Sequence, residues 1–324
     1  MLDRLNKQLE KMMPLITPIG VIIGVIFSAY LKDFSFLIPW IFAFMTFAGS
    51  LGSNFHSLKD VVTHPKSIFI AIMILHVLMP IWAWGVGHIV FPNDPYTITG
   101  LILAMVIPTG ITSFIWVSIY KGNIPMVLSV ILIDVLLSPI IVPYSLTIFI
   151  GQKIEMDTIS IMMGLLGMVV IPSIIGMMLN QLTKGKINYL LGRRLAPFSK
   201  LSIGLVVMLN GSVVAPYLKN INSRLVGITL VVFFIALTGY FFSFIIGRLL
   251  VKDRGSVISL TFTGGMRNIS SGAVIGVTYF PAAVAVPVVI GMLFQQILAS
   301  LAGHFVAKYY TKRLEKQNQG SVVV

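Results

Sequence analysis

The sequence predicts an all-α polytopic membrane protein of ten transmembrane helices, arranged as two inverted five-helix repeats with discontinuous helices in spans 4 and 9. The first observation is composition. Hydrophobic residues make up 57% of the 324 residues and charged residues only 10%, with a mean hydropathy of +0.97; a soluble domain carries roughly 25% charged residues. The second is the set of apolar runs at 14–31, 35–52, 67–92, 97–120, 124–150, 158–181, 198–217, 225–250, 256–279 and 282–307. Each is near or above the roughly 20 residues a helix needs to cross a bilayer. The third is Arg267, which stands in Thr263-Gly264-Gly265-Met266-Arg267-Asn268 inside one of these runs. A guanidinium at that depth is costly unless paired or solvated, which marks a functional site.

Residues 1–13 form a short amphipathic lead-in, expected to be retained, because no small-residue cleavage site follows before the first span continues. Spans 2 and 7 are short and contain Gly or Pro. Span 3 carries His76 close to Pro80; it reads as a packing or hydrogen-bonding residue, with a proton relay as the alternative. Span 4 is interrupted by Ile107-Pro108-Thr109-Gly110-Ile111-Thr112-Ser113. Span 5 holds Asp134, the acidic residue placed inside a span. The stretch from Thr183 to Lys200 is the long connection between halves, dividing the chain into 1–182 and 183–324, with the first repeat at about 14–150 and span 6 starting at 158. In span 9 the pair Gly264-Gly265 can break the helix, which hydrocarbon tolerates only beside protein or a polar cavity. Close helix packing, with the arginine snorkelling to an interface, is the alternative. Span 10 carries Gln295 and Gln296, amides that are costly at depth unless bonded. The tail after Tyr310 is polar and basic.

The net charge of +13 does not require a nucleic-acid partner. With the N-terminus inside, Lys32, Lys153, Lys219 and Arg224 fall on the outer side, Arg267 falls in the membrane, and the remaining Lys and Arg face the cytoplasm. That distribution predicts a multi-pass protein of the cytoplasmic membrane with both termini cytoplasmic, its basic rim facing anionic headgroups. The absence of cysteine excludes disulfides, thiolate metal sites and cysteine nucleophiles. No phosphate-binding loop, dinucleotide fingerprint or nucleophile elbow is present, which argues against direct ATP drive and against an enzyme. A membrane-embedded sensor or enzyme stays as the competing class.

Each break falls in the fourth span of a five-span half, and five is odd, so the halves enter the membrane with opposite orientation. Interrupted segments at matching positions of inverted halves point to a secondary-transporter site near the midplane. The chain here resembles the bile acid:sodium symporter family. The resemblance rests on Pro108, Gly110 and Ser113 in span 4, Lys121-Gly122-Asn123 after it, Ser138-Pro139 in span 5 and Gly265-Met266-Arg267-Asn268 in span 9. Leu78-Met79-Pro80 and Gly291-Met292-Leu293-Phe294-Gln295-Gln296 also match. It implies a core domain from spans 3–5 and 8–10, a panel domain from spans 1, 2, 6 and 7, crossed discontinuous helices in spans 4 and 9, and an organic anion bound between the domains. Where the family encloses sodium, this chain has Ser113-Phe114, Val127, Ile131, Thr263 and Arg267. A hard cation needs oxygen ligands, and Phe, Val and Ile offer only backbone carbonyls. Both usual sodium sites therefore look damaged.

The site residues expected from this reading are Thr109, Thr112, Ser113, Asp134, Thr263, Gly264, Arg267, Asn268 and Gln295. Arg267 can replace the charge of a bound sodium, and Asp134 is its natural partner, giving a buried Asp134–Arg267 pair. That pair either locks the core helices together or carries a coupling proton. The function expected is a secondary active, symporter-like carrier of an organic anion such as a bile acid or small carboxylate, with no cofactor and with Na+ or H+ as coupling ion. A functional monomer is expected, since an inverted-repeat carrier needs no partner subunit to form its site.

Overall fold

The computed structural model describes residues 2–53, 55, 65–151, 154, 156–219 and 221–320. Its helices run in the order α1 (Leu2–Ile26), α2 (Ser28–Ser50), α3 (Pro65–Val90), α4a (Pro95–Val106), α4b (Thr112–Ile119), α5 (Ile124–Ile150), α6 (Thr158–Leu182), α7 (Asn188–Leu218), α8 (Ser223–Leu250), α9a (Arg254–Gly265), α9b (Ile269–Tyr279) and α10 (Ala282–Gly320). Seven of these, α2, α3, α5, α6, α7, α8 and α10, are long and apolar enough to cross a membrane. No strand occurs among the described residues beyond one isolated bridge. The protein is therefore an all-helical, multi-pass membrane protein.

Short polar caps start many of these helices. A side-chain oxygen of Asp94, Asn123, Asp157, Asn222, Asp253 or Asn268 accepts a first-turn N–H at 2.8–3.3 Å. In an apolar chain with few charges, these Asx residues satisfy orphan donors that lipid cannot. At the other ends, Lys121, Lys184 and Lys252 adopt positive φ after α4b, α6 and α8, the left-handed turn that closes a helix.

Two boundaries differ from the sequence reading. The lead-in and first span form one helix that ends at Ile26, and Phe27 leaves helical geometry at φ −94°, ψ 21°. Residues 28–31 then belong to α2, which passes through a 3₁₀ turn at Lys32–Leu37 before Pro39 restarts a regular helix. The expected long connection at 183–200 is short, because α7 already begins at Asn188. Its first π turn, Asn188–Gly192, lets a polar, basic stretch stay helical at the membrane edge, where Arg193 lies 5.0 Å from the Tyr189 ring. Lys59 and Lys153 lie outside the described residues.

Packing gathers the elements unevenly. The most extensive contacts join α1 to α7, and α2 to α6 and α7; a second set joins α8 to α9a, and α4a and α9b to α10. At the α1–α7 seam a Cβ on Gly24 would meet the Met208 carbonyl, so glycine is what lets the two backbones approach. The second set encloses the two breaks. Trp116 of α4b and Tyr120, the residue that ends it, stack on Phe262 of α9a at centroid distances of 6.1 and 5.6 Å, holding the half-helices side by side.

Candidate functional site

Helix α4a ends where Pro108 removes a backbone donor, and α4b begins four residues later at Thr112. Helix α9a ends at Gly265 and α9b begins at Ile269. The two breaks pair with each other. Thr109 and Arg267 form an antiparallel bridge, and the Asn268 N–H donates to the Pro108 carbonyl at 2.8 Å. Thr109 Oγ1 adds bonds to the carbonyls of Thr263 (2.9 Å) and Met266 (3.1 Å). A Cβ on Gly110 would stand 2.9 Å from the Arg267 carbonyl, so this close approach requires glycine. Backbone groups released by each broken helix are thus satisfied by the other.

Arg267 is 2% exposed. Its Nε donates to the Met105 carbonyl at 3.1 Å and its Nη1 to the Gly264 carbonyl at 3.2 Å. Met105 lies in the last turn of α4a and Gly264 in the last turn of α9a, so the guanidinium joins two helix C-termini. Those ends carry the negative pole of the helix dipole and carbonyls with no intrahelical partner. The positive charge is stabilised there without a carboxylate in contact.

The expected Asp134–Arg267 bond is therefore not formed. Asp134, fully buried on α5, instead contacts His76 Nε2 through Oδ1 at 2.6 Å and accepts the Thr109 N–H on Oδ2 at 2.6 Å. Arg267 acts on Asp134 across space only, and the two meet indirectly through Thr109. Three residues after Ile131, Asp134 does point toward the breaks, but α4b's leading loop lies between. His76 is the hydrogen-bonding residue the sequence reading expects; its partner is what that reading leaves unassigned. The available signal was simple: a buried carboxylate needs a partner, and His76 is a second titratable side chain within an apolar span.

A cavity of about 250 Å³ opens beside the paired breaks. Thr112, Arg267, Asn268 and Gln295 line it, facing Thr17 of α1, Thr46 of α2 and Ser199 of α7. The cavity thus lies between the α1–α2–α7 side and the broken helices with α10. Of the other expected residues, Thr109, Ser113, Asp134, Thr263 and Gly264 sit behind its wall. Thr263 spends its hydroxyl on the Ser259 carbonyl at 2.8 Å, Asn268 caps α9b, and a Cβ on Gly264 would meet Ser243 of α8. Ser113 Oγ and Gln295 Oε1 are buried with no partner among the described residues, while Gln296 accepts from Trp116 Nε1 at 3.1 Å. Val127 and Ile131 are packed in the apolar core, and Phe114 packs against it. Among the described residues no three His, Asp or Glu side chains converge as a metal site.

Paired broken helices beside a cavity, in a chain of apolar spans, define a membrane transport protein. The family model "Sodium Bile acid symporter family" matches residues 39–221, and the chain belongs to that family of transporters. It is 52% identical over 300 residues to "Uncharacterized protein YbaS" of Bacillus subtilis (strain 168), covering 93% of this chain and 98% of that one. It is 24% identical to "Uncharacterized sodium-dependent transporter YocS" of the same organism, covering 92% of each chain. It is also 24% identical to "Probable sodium/metabolite cotransporter BASS1, chloroplastic" of Arabidopsis thaliana, covering 80% of this chain and 63% of that one.

Proposed function

We propose that this protein is a secondary active transporter that carries a small organic anion across the cytoplasmic membrane by alternating access, with both termini inside. Ten spans in two inverted halves, with α3–α5 and α8–α10 as the moving core against α1, α2, α6 and α7, are the architecture this reading assumes. The observation that carries it is the cavity wall. Thr112 and Ile269, the first residues of α4b and α9b, both line the cavity, so two positive helix ends face an anion there. Arg267, part of the same wall, adds its charge, and no carboxylate lines the cavity among the described residues. A volume of about 250 Å³ lies near the lower end of ligand pockets, roughly 300–1,000 Å³, and favours a small carboxylate over a steroid.

The relatives' names suggest sodium as the coupling ion. The positions that enclose sodium in the family are here Ser113, Phe114, Val127, Ile131, Thr263 and Arg267. The guanidinium of Arg267 bonds the C-terminal carbonyls of both half-helices, which are ligands a bare cation would otherwise take. This supports Arg267 as a tethered replacement for sodium in a carrier that is proton-coupled or uncoupled. A sodium site built from backbone carbonyls is the second reading.

Counterflow and gradient-driven uptake of labelled taurocholate and pantothenate in proteoliposomes test both. Accumulation of pantothenate under an imposed pH gradient, lost in Arg267→Gln, is the expected result. Accumulation driven only by sodium supports the second reading. Equilibration under every gradient without counterflow would indicate a channel instead.

A further inference from the structure

His76 and Asp134 stand outside the cavity yet are tied to it. His76 lies in a π turn, Ile74–Leu78, inside α3. Such a turn inserts one residue into the helix, weakens the local ladder and re-aims a side chain, and it recurs at functional sites. Here it directs His76 at Asp134, with side-chain exposures of 6% and 0% and a 2.6 Å contact. The other Asp134 oxygen holds the Thr109 N–H, and Gly110, the next residue, lines the cavity. A line of bonds therefore runs from the imidazole through the carboxylate to the break that forms the cavity wall.

The second ring nitrogen completes the observation. With Asp134 ionised and accepting only, Nε2 carries the hydrogen of the short contact, which leaves Nδ1 of a neutral ring as a lone pair. His76 Nδ1 is buried and has no hydrogen-bond partner among the described residues. Protonating it in this conformation would strand a charged donor in apolar surroundings. A conformation that admits water removes that penalty, so proton occupancy and conformation are linked. Few other charges face the dyad. Arg267 reaches Asp134 from the α9 break, and Tyr240 of α8 directs its hydroxyl to the Gln295 carbonyl at 3.5 Å. On α4a and α9a the titratable residues are Tyr96 and Arg254, at the outer ends. On α3 the others are Lys66 and His88, also near the ends.

Charge balance gives the dyad its role. Ionised Asp134 and Arg267 cancel, so the site is neutral when His76 is neutral. A monovalent anion entering the cavity leaves one uncompensated negative charge in a medium of low dielectric. A proton on His76 restores neutrality. We propose that His76, held by Asp134, is the proton-binding site of this carrier, taking one proton from water onto Nδ1 for each organic monocarboxylate that enters and releasing it on the opposite side. This inference deepens the carrier reading and rests on it.

The test uses proteoliposomes holding a luminal pH dye, given labelled pantothenate or pyruvate, with acidification measured per mole of anion taken up. Wild type is expected to acidify the lumen in proportion to uptake. In His76→Gln the residual uptake is expected to carry no proton, the ratio falling to background. Uptake without acidification in wild type, or an unchanged ratio in His76→Gln, overturns the proposal. Absence of any uptake in wild type overturns the carrier reading itself. A second measurement needs no variant that must transport. NMR of isotope-labelled histidine in the purified protein, with His76→Gln used only to assign the signal, should show the His76 ring gaining a proton when pantothenate is added at constant pH. A ring whose protonation is the same with and without pantothenate overturns the proposal.

Discussion

Arg267 illustrates how a charge survives at membrane depth without an acidic partner. Its two bonds go to carbonyls that each helix end leaves orphaned, and losing the donor would leave them buried and unpaired at on the order of 1–3 kcal/mol each. Arg267→Lys keeps the charge but not the planar fork that spans two acceptors. Its melting temperature in detergent is expected to fall, with transport partly retained, whereas Arg267→Gln should lose both. Equal behaviour of the two variants would mean that charge alone, and not the bridge, matters. Asp157 shows a charge in the opposite setting, on the exposed start of α6. The Ser160 hydroxyl and N–H hold its carboxyl below the ordinary aspartate range. A depressed folded value means stabilisation that is present above the unfolded pKa and is lost as pH falls through the folded one. The amide protection factor at the first turn of α6, taken relative to the intrinsic exchange rate at each pH, should therefore fall on acidification, and in Asp157→Asn that loss should vanish.

Among the elements, the paired breaks depend on one close approach. Gly110→Ala would press a methyl group 2.9 Å from the Arg267 carbonyl, and backbone cannot yield as a flexible side chain does. Overpacking of this kind costs typically about 1–3 kcal/mol, and here it also disturbs the Thr109–Arg267 bridge. Substrate uptake should drop more than thermal stability does; a variant with normal uptake would show that the pairing is not needed for function. The positions of both breaks were legible in the sequence, because Pro108 and Gly264-Gly265 are local signals that act on their own helix. Their pairing was anticipated only through the family resemblance, since the contact joins residues far apart in the chain. The start of α7 was misplaced for a different reason: hydropathy marks what lipid covers, and a polar helix at the membrane edge carries no such signal.

Across the whole molecule, the proposed orientation rests on the distribution of charge. A chain without cysteine allows a direct check, since single substitutions at Lys186→Cys and Asn93→Cys need no other change. A membrane-impermeant thiol reagent applied to intact cells should label the second and spare the first. The reverse pattern would overturn the positive-inside assignment.

The sequence by itself determined that this chain lives in a bilayer, which two of its apolar segments break and which family it resembles. Each of these follows from composition or from short local motifs, and lipid enforces them segment by segment. The partners of the buried charges were decided only by the tertiary structure. Asp134 bonds His76 and Thr109 where an ion pair with Arg267 was expected, and Arg267 bonds the Met105 and Gly264 carbonyls. The physical reason is that every backbone carbonyl is chemically alike in the sequence. Which of them a helix end leaves unpaired, and which side chain stands within 3 Å of it, depends on how the half-helices cross.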